Sequence, residues 1–204
     1  MNVIGVFPEP FLILNIKDQI DIASVESLIT LASTDLIING NNKNYFSKNT
    51  QILNCYPELK QIVEDKLNYF VQNIFGEASS TLKLTQSWMN VNPKGSFHHK
   101  HNHINSIVSG VVYLSVDDES GNFVIYKERQ GRMLTNNITK ENEFTFQRYV
   151  FKPNNFDMYL FPSNMQHSVE INRSNTDRIS ISFNSFYNCI LQDENDLSML
   201  DLRQ

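Results

Sequence analysis

The sequence predicts a mainly β protein whose first third is helical. Two observations carry this prediction: an apolar stripe at helical spacing in the first third, and an alternation of apolar and polar residues after Gly76. About seven short β-rich segments with turns between them follow, which is typical of a sandwich or an open barrel. We expect two helices to pack against this β-sandwich.

Two segments near the N-terminus have helical periodicity. In 17–34 the apolar residues recur mostly at helical spacing, and in 57–76 they form a cleaner i, i+3, i+4 stripe. Pro57 suits the start of the second helix, because proline at the first helical position gives up no helical hydrogen bond. Gly76 is a good helix end.

The segments expected to form strands are rich in β-branched and aromatic residues. They are TLKLTQSWMNVN, SIVSGVVYLSV, NFVIYK, TFQRYVFKP, FDMYLFPS, HSVEIN and RISISFNSF. The length suits one domain, 1–204. We expect a helical part at 1–80, a β core at 81–187, and a polar tail at 188–204 that forms a short helix or a frayed end.

Composition argues against several classes of protein. The net charge is −5 and the basic residues are scattered, so a nucleic-acid groove is not expected. Two cysteines give no disulfide framework, which favours a reducing compartment. The N-terminus lacks a basic region and carries two prolines, unlike a signal peptide, and no apolar run has the length of a membrane span. We expect a soluble, cytoplasmic protein.

Histidines concentrate in the stretch SFHHKHNHINS, and one more, His167, lies far along the chain. Either a metal is bound from two distant segments, or a loop happens to be rich in histidine. On a strand, His101 and His103 would face the same side, and His167 could complete the set from across the sandwich. His98 and His99 would face opposite sides, so at most one could join. We predict a metal site, and imidazole suits zinc, iron, copper or nickel.

The segment RISISF places Arg178, Ser180 and Ser182 on one strand face, with apolar residues on the other. If His167 points inward nearby, the guanidinium offers a planar fork for a carboxylate. An exposed face with an ordinary surface arginine is the alternative, and alternation alone does not decide between them.

Two long segments resemble the iron(II)/2-oxoglutarate-dependent oxygenases. They are WMNVNPKGSFHHKHNHINSIVSGVVYL and LFPSNMQHSVEINRSNTDRISISFN, and they are similar to a largely uncharacterised oxygenase family with an H-x-H cluster, a distal histidine and RISISFN. The opening VFPEPFLILNI is similar too, so the resemblance covers nearly the whole chain. It implies a double-stranded β-helix (jelly-roll, cupin-like) buttressed by two or three α-helices.

The resemblance also implies roles for particular residues. His101 and His167 would be iron(II) ligands, and Arg178 would hold the distal carboxylate of the cosubstrate 2-oxoglutarate, with a hydroxyl added by Ser180. The 2-oxo acid end would chelate the iron and leave a position for O₂. Tyr113 and Asn90 are candidates for lining this pocket, and Trp88 for shaping it, although an aromatic residue on a strand is often plain core.

The third ligand departs from the family's usual pattern. Most such enzymes have His-x-Asp, whereas His103 stands at the Asp position here. Three neutral ligands leave the charge of the ion uncompensated by protein, and a dianionic cosubstrate could offset part of it. Asp157 and Glu170 are the carboxylates that could take the place of His103.

The leading hypothesis is an oxygenase that hydroxylates an unidentified substrate with O₂ and 2-oxoglutarate. A cupin-like metal-binding enzyme or sensor without 2-oxoglutarate is an alternative, but Ile107 and Val108 stand where a cupin glutamate is expected. A non-catalytic jelly-roll interaction protein is another. A candidate lid over the mouth of the barrel is the segment RQGRMLTNNITKENEF. A homodimer is also considered.

Overall fold

Two antiparallel sheets form the centre of the computed structural model, which describes residues 8–127, 137–193 and 195–203. The helices are α1 (Ile22–Ala32) and α2 (Pro57–Tyr69). The strands are β1 (Leu12–Asn15), β2 (Leu36–Asn39), β3 (Asn44–Ser47), β4 (Leu82–Asn92), β5 (His98–His101), β6 (Val108–Ser115), β7 (Phe123–Tyr126), β8 (Arg148–Phe151), β9 (Asp157–Pro162), β10 (His167–Val169), β11 (Arg178–Tyr187), β12 (Ile190–Leu191) and β13 (Leu200–Asp201).

The larger sheet has seven strands in the order β1-β9-β6-β11-β4-β3-β2, and the smaller has four in the order β5-β10-β7-β8. From β4 to β11 the chain passes back and forth between the two sheets, with a β7–β8 hairpin at the middle of the path. This winding is that of a double-stranded β-helix, so the predicted fold class is confirmed.

The two faces of the large sheet have different partners. Its outer face packs against the helices, where Leu59, Val63 and Leu67 of α2 share one core cluster with Met89, Ile181 and Phe183. Its inner face and the small sheet enclose a second cluster, which contains Val111, Tyr113, Phe123, Tyr159 and Phe161. The alternation along β11 therefore sends its isoleucines toward the helices and its polar residues between the sheets.

The second helix begins at Pro57, as predicted, and continues as a π-helical turn over Phe70–Ile74. Gly76 follows with a positive φ of 80°, which glycine adopts without a Cβ clash. The first helix is capped by the carboxylate of Asp21, which accepts a hydrogen bond from the Ser24 amide. Among the residues described, neither helix has the length and apolar character that crossing a membrane requires.

Two parts of the chain differ from the expectation. The first 80 residues contribute β1, β2 and β3 as well as helices, because these short segments gain their hydrogen bonds from the edges of the large sheet. The tail forms the paired strands β12 and β13 where a short helix or a frayed end was expected. Of the candidate lid, 129–136 lies outside the described residues, and the single-domain organisation stays a prediction.

We expect Gly110→Ala to lower the free energy of unfolding by about 1–3 kcal/mol, the usual cost of overpacking a core. A Cβ on Gly110 would lie 2.5 Å from the ring of Phe183 and 2.6 Å from the side chain of Leu160. Gly40→Ala is the control, because a Cβ there meets no atom within 4 Å. Equal midpoints for both variants in urea unfolding would contradict this prediction.

Candidate metal centre

His101 and His167 are direct neighbours on adjacent strands. Strands β5 and β10 pair antiparallel, with His167 opposite His101, and the centroids of the two rings are 4.3 Å apart. His167 therefore approaches from within the small sheet, and the expectation that it would reach the site from across the sandwich is wrong.

His103 lies beyond the end of β5, so it does not share a strand with His101 as the spacing suggested. Its amide donates a 2.8 Å hydrogen bond to the carbonyl of Ser163, and this bond keeps the backbone of His103 close to the other two histidines. The Nε2 atom of His103 is 3.3 Å from Nε2 of His167, and the two rings are parallel within 2°. Ligand nitrogens of the three histidines all lie within 4.8 Å of one another.

The second nitrogen of two of these rings is bound to the backbone. Nδ1 of His101 donates to the carbonyl of His99 at 2.7 Å, and Nδ1 of His167 donates to the carbonyl of Met165 at 2.9 Å. A carbonyl can only accept, so the proton is on Nδ1 and the Nε2 lone pair is free in each neutral ring. Such lone pairs facing one another need a shared proton or a cation, and the cluster fits a metal ion.

Burial keeps these imidazoles neutral. Burial, together with the neighbouring His101, lowers the pKa of His167 to about 3 and that of His103 to about 4. The pKa of His101 is also lowered, mainly by burial. Phe161 and Phe123 pack on His167, with ring centroids 4.8 Å and 5.3 Å away. Because a metal binds the neutral imidazole, no proton has to be displaced near neutral pH.

The other two histidines of the stretch have different partners. His99 is exposed, and its Nδ1 lies 2.7 Å from Oδ1 of Asn42. Nε2 of His98 lies 3.1 Å from Nδ2 of Asn44, and neither histidine belongs to the cluster.

The two carboxylates considered as substitutes for His103 are also engaged elsewhere. Asp157 accepts hydrogen bonds from the side chains of Asn15 and Asn154, and Glu170 accepts one from Asn122. Neither is a member of the group of residues that could hold a metal ion.

Arg178 opens β11 and turns inward. Its side chain is 2% exposed, so the alternative of an ordinary surface arginine is wrong. Nη1 donates to the carbonyl of Ser120 at 2.9 Å, whereas Nε is buried without a partner. Burial lowers the pKa of the guanidinium from a very high value, and the charge is retained at neutral pH.

The three other predicted pocket residues lie on the same sheet face. Ser180 pairs with Asn90 on one side and with Tyr113 on the other, and all three are buried. Asn90 donates to the hydroxyl of Ser182 at 3.0 Å. Burial raises the pKa of the Tyr113 phenol, so it stays protonated. Trp88, next along this face, has its ring centroid 6.1 Å from that of His103.

Sequence reasoning missed three buried polar residues, Asn44, Asn92 and Ser96, which come from β3, β4 and the turn that follows β4. Asn92 pairs directly with Arg178. A signal was available for one of them, because Asn92 alternates with Asn90 in NVN and must share its face.

The fold and the histidine cluster together define a double-stranded β-helix protein with a candidate metal centre between its sheets. Residues 86–184 match a family model described as "Putative 2OG-Fe(II) oxygenase". These residues include every predicted site residue, and the match supports the resemblance to the 2OG-Fe(II) oxygenases. No curated protein sequence matches the chain significantly.

Several solved structures share the fold at low identity. An oxidoreductase of the 2OG-Fe(II) oxygenase family from Burkholderia pseudomallei is 15% identical, with a TM-score of 0.61 over 86% of this chain and 83% of that one. A prolyl-4-hydroxylase from Pseudomonas putida is 11% identical, with a TM-score of 0.57 over 87% and 94%. HygX from Streptomyces hygroscopicus, solved with nickel and 2-oxoglutarate bound, is 13% identical, with a TM-score of 0.56 over 87% and 82%.

Proposed function

We propose that this protein is an iron(II)- and 2-oxoglutarate-dependent oxygenase that hydroxylates an unidentified substrate. The reaction would consume O₂ and convert 2-oxoglutarate to succinate and CO₂. The observation that carries the proposal is the group of three histidine nitrogens within 4.8 Å of one another, in a chain whose residues 86–184 match the 2OG-Fe(II) oxygenase family model.

His101, His103 and His167 would hold the iron. Two of the rings have their tautomer set by backbone carbonyls, and such bonds orient metal ligands. Three protein ligands leave positions for a chelating cosubstrate and for O₂, whose activation is the chemistry that the iron supplies. Because the three imidazoles are neutral, the dianionic cosubstrate would offset the ion's charge.

Arg178 would bind the distal carboxylate of 2-oxoglutarate. It carries a fixed positive charge between the sheets, and a carboxylate can accept two parallel hydrogen bonds from a guanidinium. Ser180, Asn90 and Tyr113 line the same inner face of the large sheet, and their burial would keep water away from the bound cosubstrate. The bound nickel and 2-oxoglutarate in HygX support this proposal by fold similarity.

The cupin-like alternative explains less of the structure. A barrel that binds only a metal does not account for a buried arginine with an unpaired Nε. A carboxylate ligand accounts for it, because its oxygen would accept a hydrogen bond from that Nε. The free thiols of Cys55 and Cys189 support the proposed cytoplasmic location. The homodimer stays a prediction.

Anaerobic titration of the protein with iron(II), with and without 2-oxoglutarate, tests the proposed function. We expect a weak visible charge-transfer band that requires both the metal and the cosubstrate. Iron binding without an effect of 2-oxoglutarate would favour the cupin-like alternative. Binding of neither would favour a non-catalytic jelly-roll protein.

A further inference from the structure

Five buried side-chain polar atoms have no hydrogen-bond partner in the described part of the chain. They belong to only four residues: Asn44, Asn92, Ser96 and Arg178. Buried polar groups are nearly always hydrogen-bonded, because leaving one unpaired removes its water without replacing it. A cluster of such atoms therefore indicates a place where a ligand completes the hydrogen bonds.

The strand register brings three of these residues together, Arg178, Asn92 and Asn44. Asn92 is the direct partner of Arg178 across the β4–β11 pair, so the two side chains share the inner face as close neighbours. Asn44 lies one residue beyond the Tyr45–Val91 pair and so lies beside Asn92 on the other side. Ser96 is on the turn that leads from β4 to β5.

The unpaired atoms suit an anion with two oxygens. Nε of Arg178, Nδ2 of Asn92 and the hydroxyl of Ser96 can all donate. Both ends of the Asn92 amide are unpaired, so it can donate whichever way the amide is turned. Within the ranges described, Arg178 forms no ion pair with a carboxylate of the protein.

We propose that Asn92 is a specificity-determining residue that binds the distal carboxylate of 2-oxoglutarate beside Arg178. This inference rests on the proposed function and adds a residue to its cosubstrate site. Asn92 is 0% exposed and its side chain has no hydrogen bond. In the ligand-free protein this unpaired amide therefore lowers the free energy of unfolding. With the cosubstrate bound, the amide gains a partner and selects ligands that carry a second carboxylate.

Replacement of Asn92 by leucine, an apolar residue of similar size, tests the inference in the manganese-loaded protein. We expect calorimetric titration to show about tenfold or weaker binding of 2-oxoglutarate, the size expected for a lost hydrogen bond to a charged group. Pyruvate has the same 2-oxo acid end but no distal carboxylate. The affinity of the variant for pyruvate should therefore stay within about twofold of that of the wild-type protein. The melting temperature of the ligand-free variant should be unchanged or higher.

Asn172→Leu is the matched control for stability. Asn172 is equally buried, but its amide donates to the carbonyls of Asn92 and Thr176, so its replacement should lower the melting temperature. Asn92→Asp, which keeps the shape and adds a negative charge, should abolish 2-oxoglutarate binding and retain pyruvate binding. It provides a second reading if Asn92→Leu does not fold.

The two proposals fail in different ways. Unchanged 2-oxoglutarate affinity in Asn92→Leu, or an equal loss for 2-oxoglutarate and pyruvate, would overturn the role of Asn92 and leave the oxygenase proposal standing. If the wild-type protein binds manganese but not 2-oxoglutarate, both proposals are wrong.

Discussion

His167→Ala is expected to abolish stoichiometric iron(II) binding while leaving the β-sheet circular dichroism intact. His167 lies at the centre of the cluster. Its ring centroid is 4.3 Å from that of His101, and its Nε2 is 3.3 Å from Nε2 of His103. Loss of this ring leaves two imidazoles, too few for a stable three-ligand site. Anaerobic titration followed by metal analysis of the desalted protein measures the effect.

His99→Ala is the matched control for this experiment. His99 belongs to the same histidine-rich stretch, but its side chain is bound to Asn42 and is not part of the cluster. Its replacement should leave one iron per chain, since the carbonyl of His99 that holds His101 is retained. Full iron occupancy in His167→Ala would remove His167 from the metal site.

Arg178→Ala should weaken 2-oxoglutarate binding by about tenfold or more, because a charge-assisted bidentate pair contributes roughly 1.5–3 kcal/mol. The guanidinium is buried: its Nη1 donates to the carbonyl of Ser120, and its Nε has no partner among the described residues. Iron binding should be retained, since the histidine cluster does not include this residue. Calorimetry with the manganese-loaded protein separates the two effects.

Arg173→Ala is the control for charge, because Arg173 is an exposed arginine shortly before β11. Its replacement removes one positive charge and should leave the affinity for 2-oxoglutarate unchanged. If Arg178→Ala also keeps wild-type affinity, Arg178 does not bind the carboxylate, and the oxygenase proposal loses its anion site.

The two periodicities of the sequence predicted most of the fold. Helical spacing indicated α2, and alternation indicated each of the seven segments that became β4, β6, β7, β8, β9, β10 and β11. The strands β1, β2 and β3 escaped prediction because they lie in the part of the chain where helical spacing dominates, and they form by pairing at the two edges of the large sheet.

The site was predictable in its residue types and in part of its geometry. Four histidines in one short stretch, with a fifth at the head of a β-rich segment, indicated a metal site. The alternation in RISISF put Arg178 and Ser180 on one face, but alternation cannot say whether that face is buried. In the structure the helices pack on the face of β11 that carries Ile181, so the face with Arg178 and Ser180 lies toward the small sheet and is buried.

Local residue order thus specified the elements and the chemistry, because periodicity and side-chain type are properties of neighbouring residues. Pairing between distant strands decided the rest. The β5–β10 register places His167 against His101, and the β4–β11 register places Asn92 against Arg178. Such registers depend on contacts between residues remote in the chain, so the convergence of the histidines and the unpaired polar cluster emerged only in the folded protein.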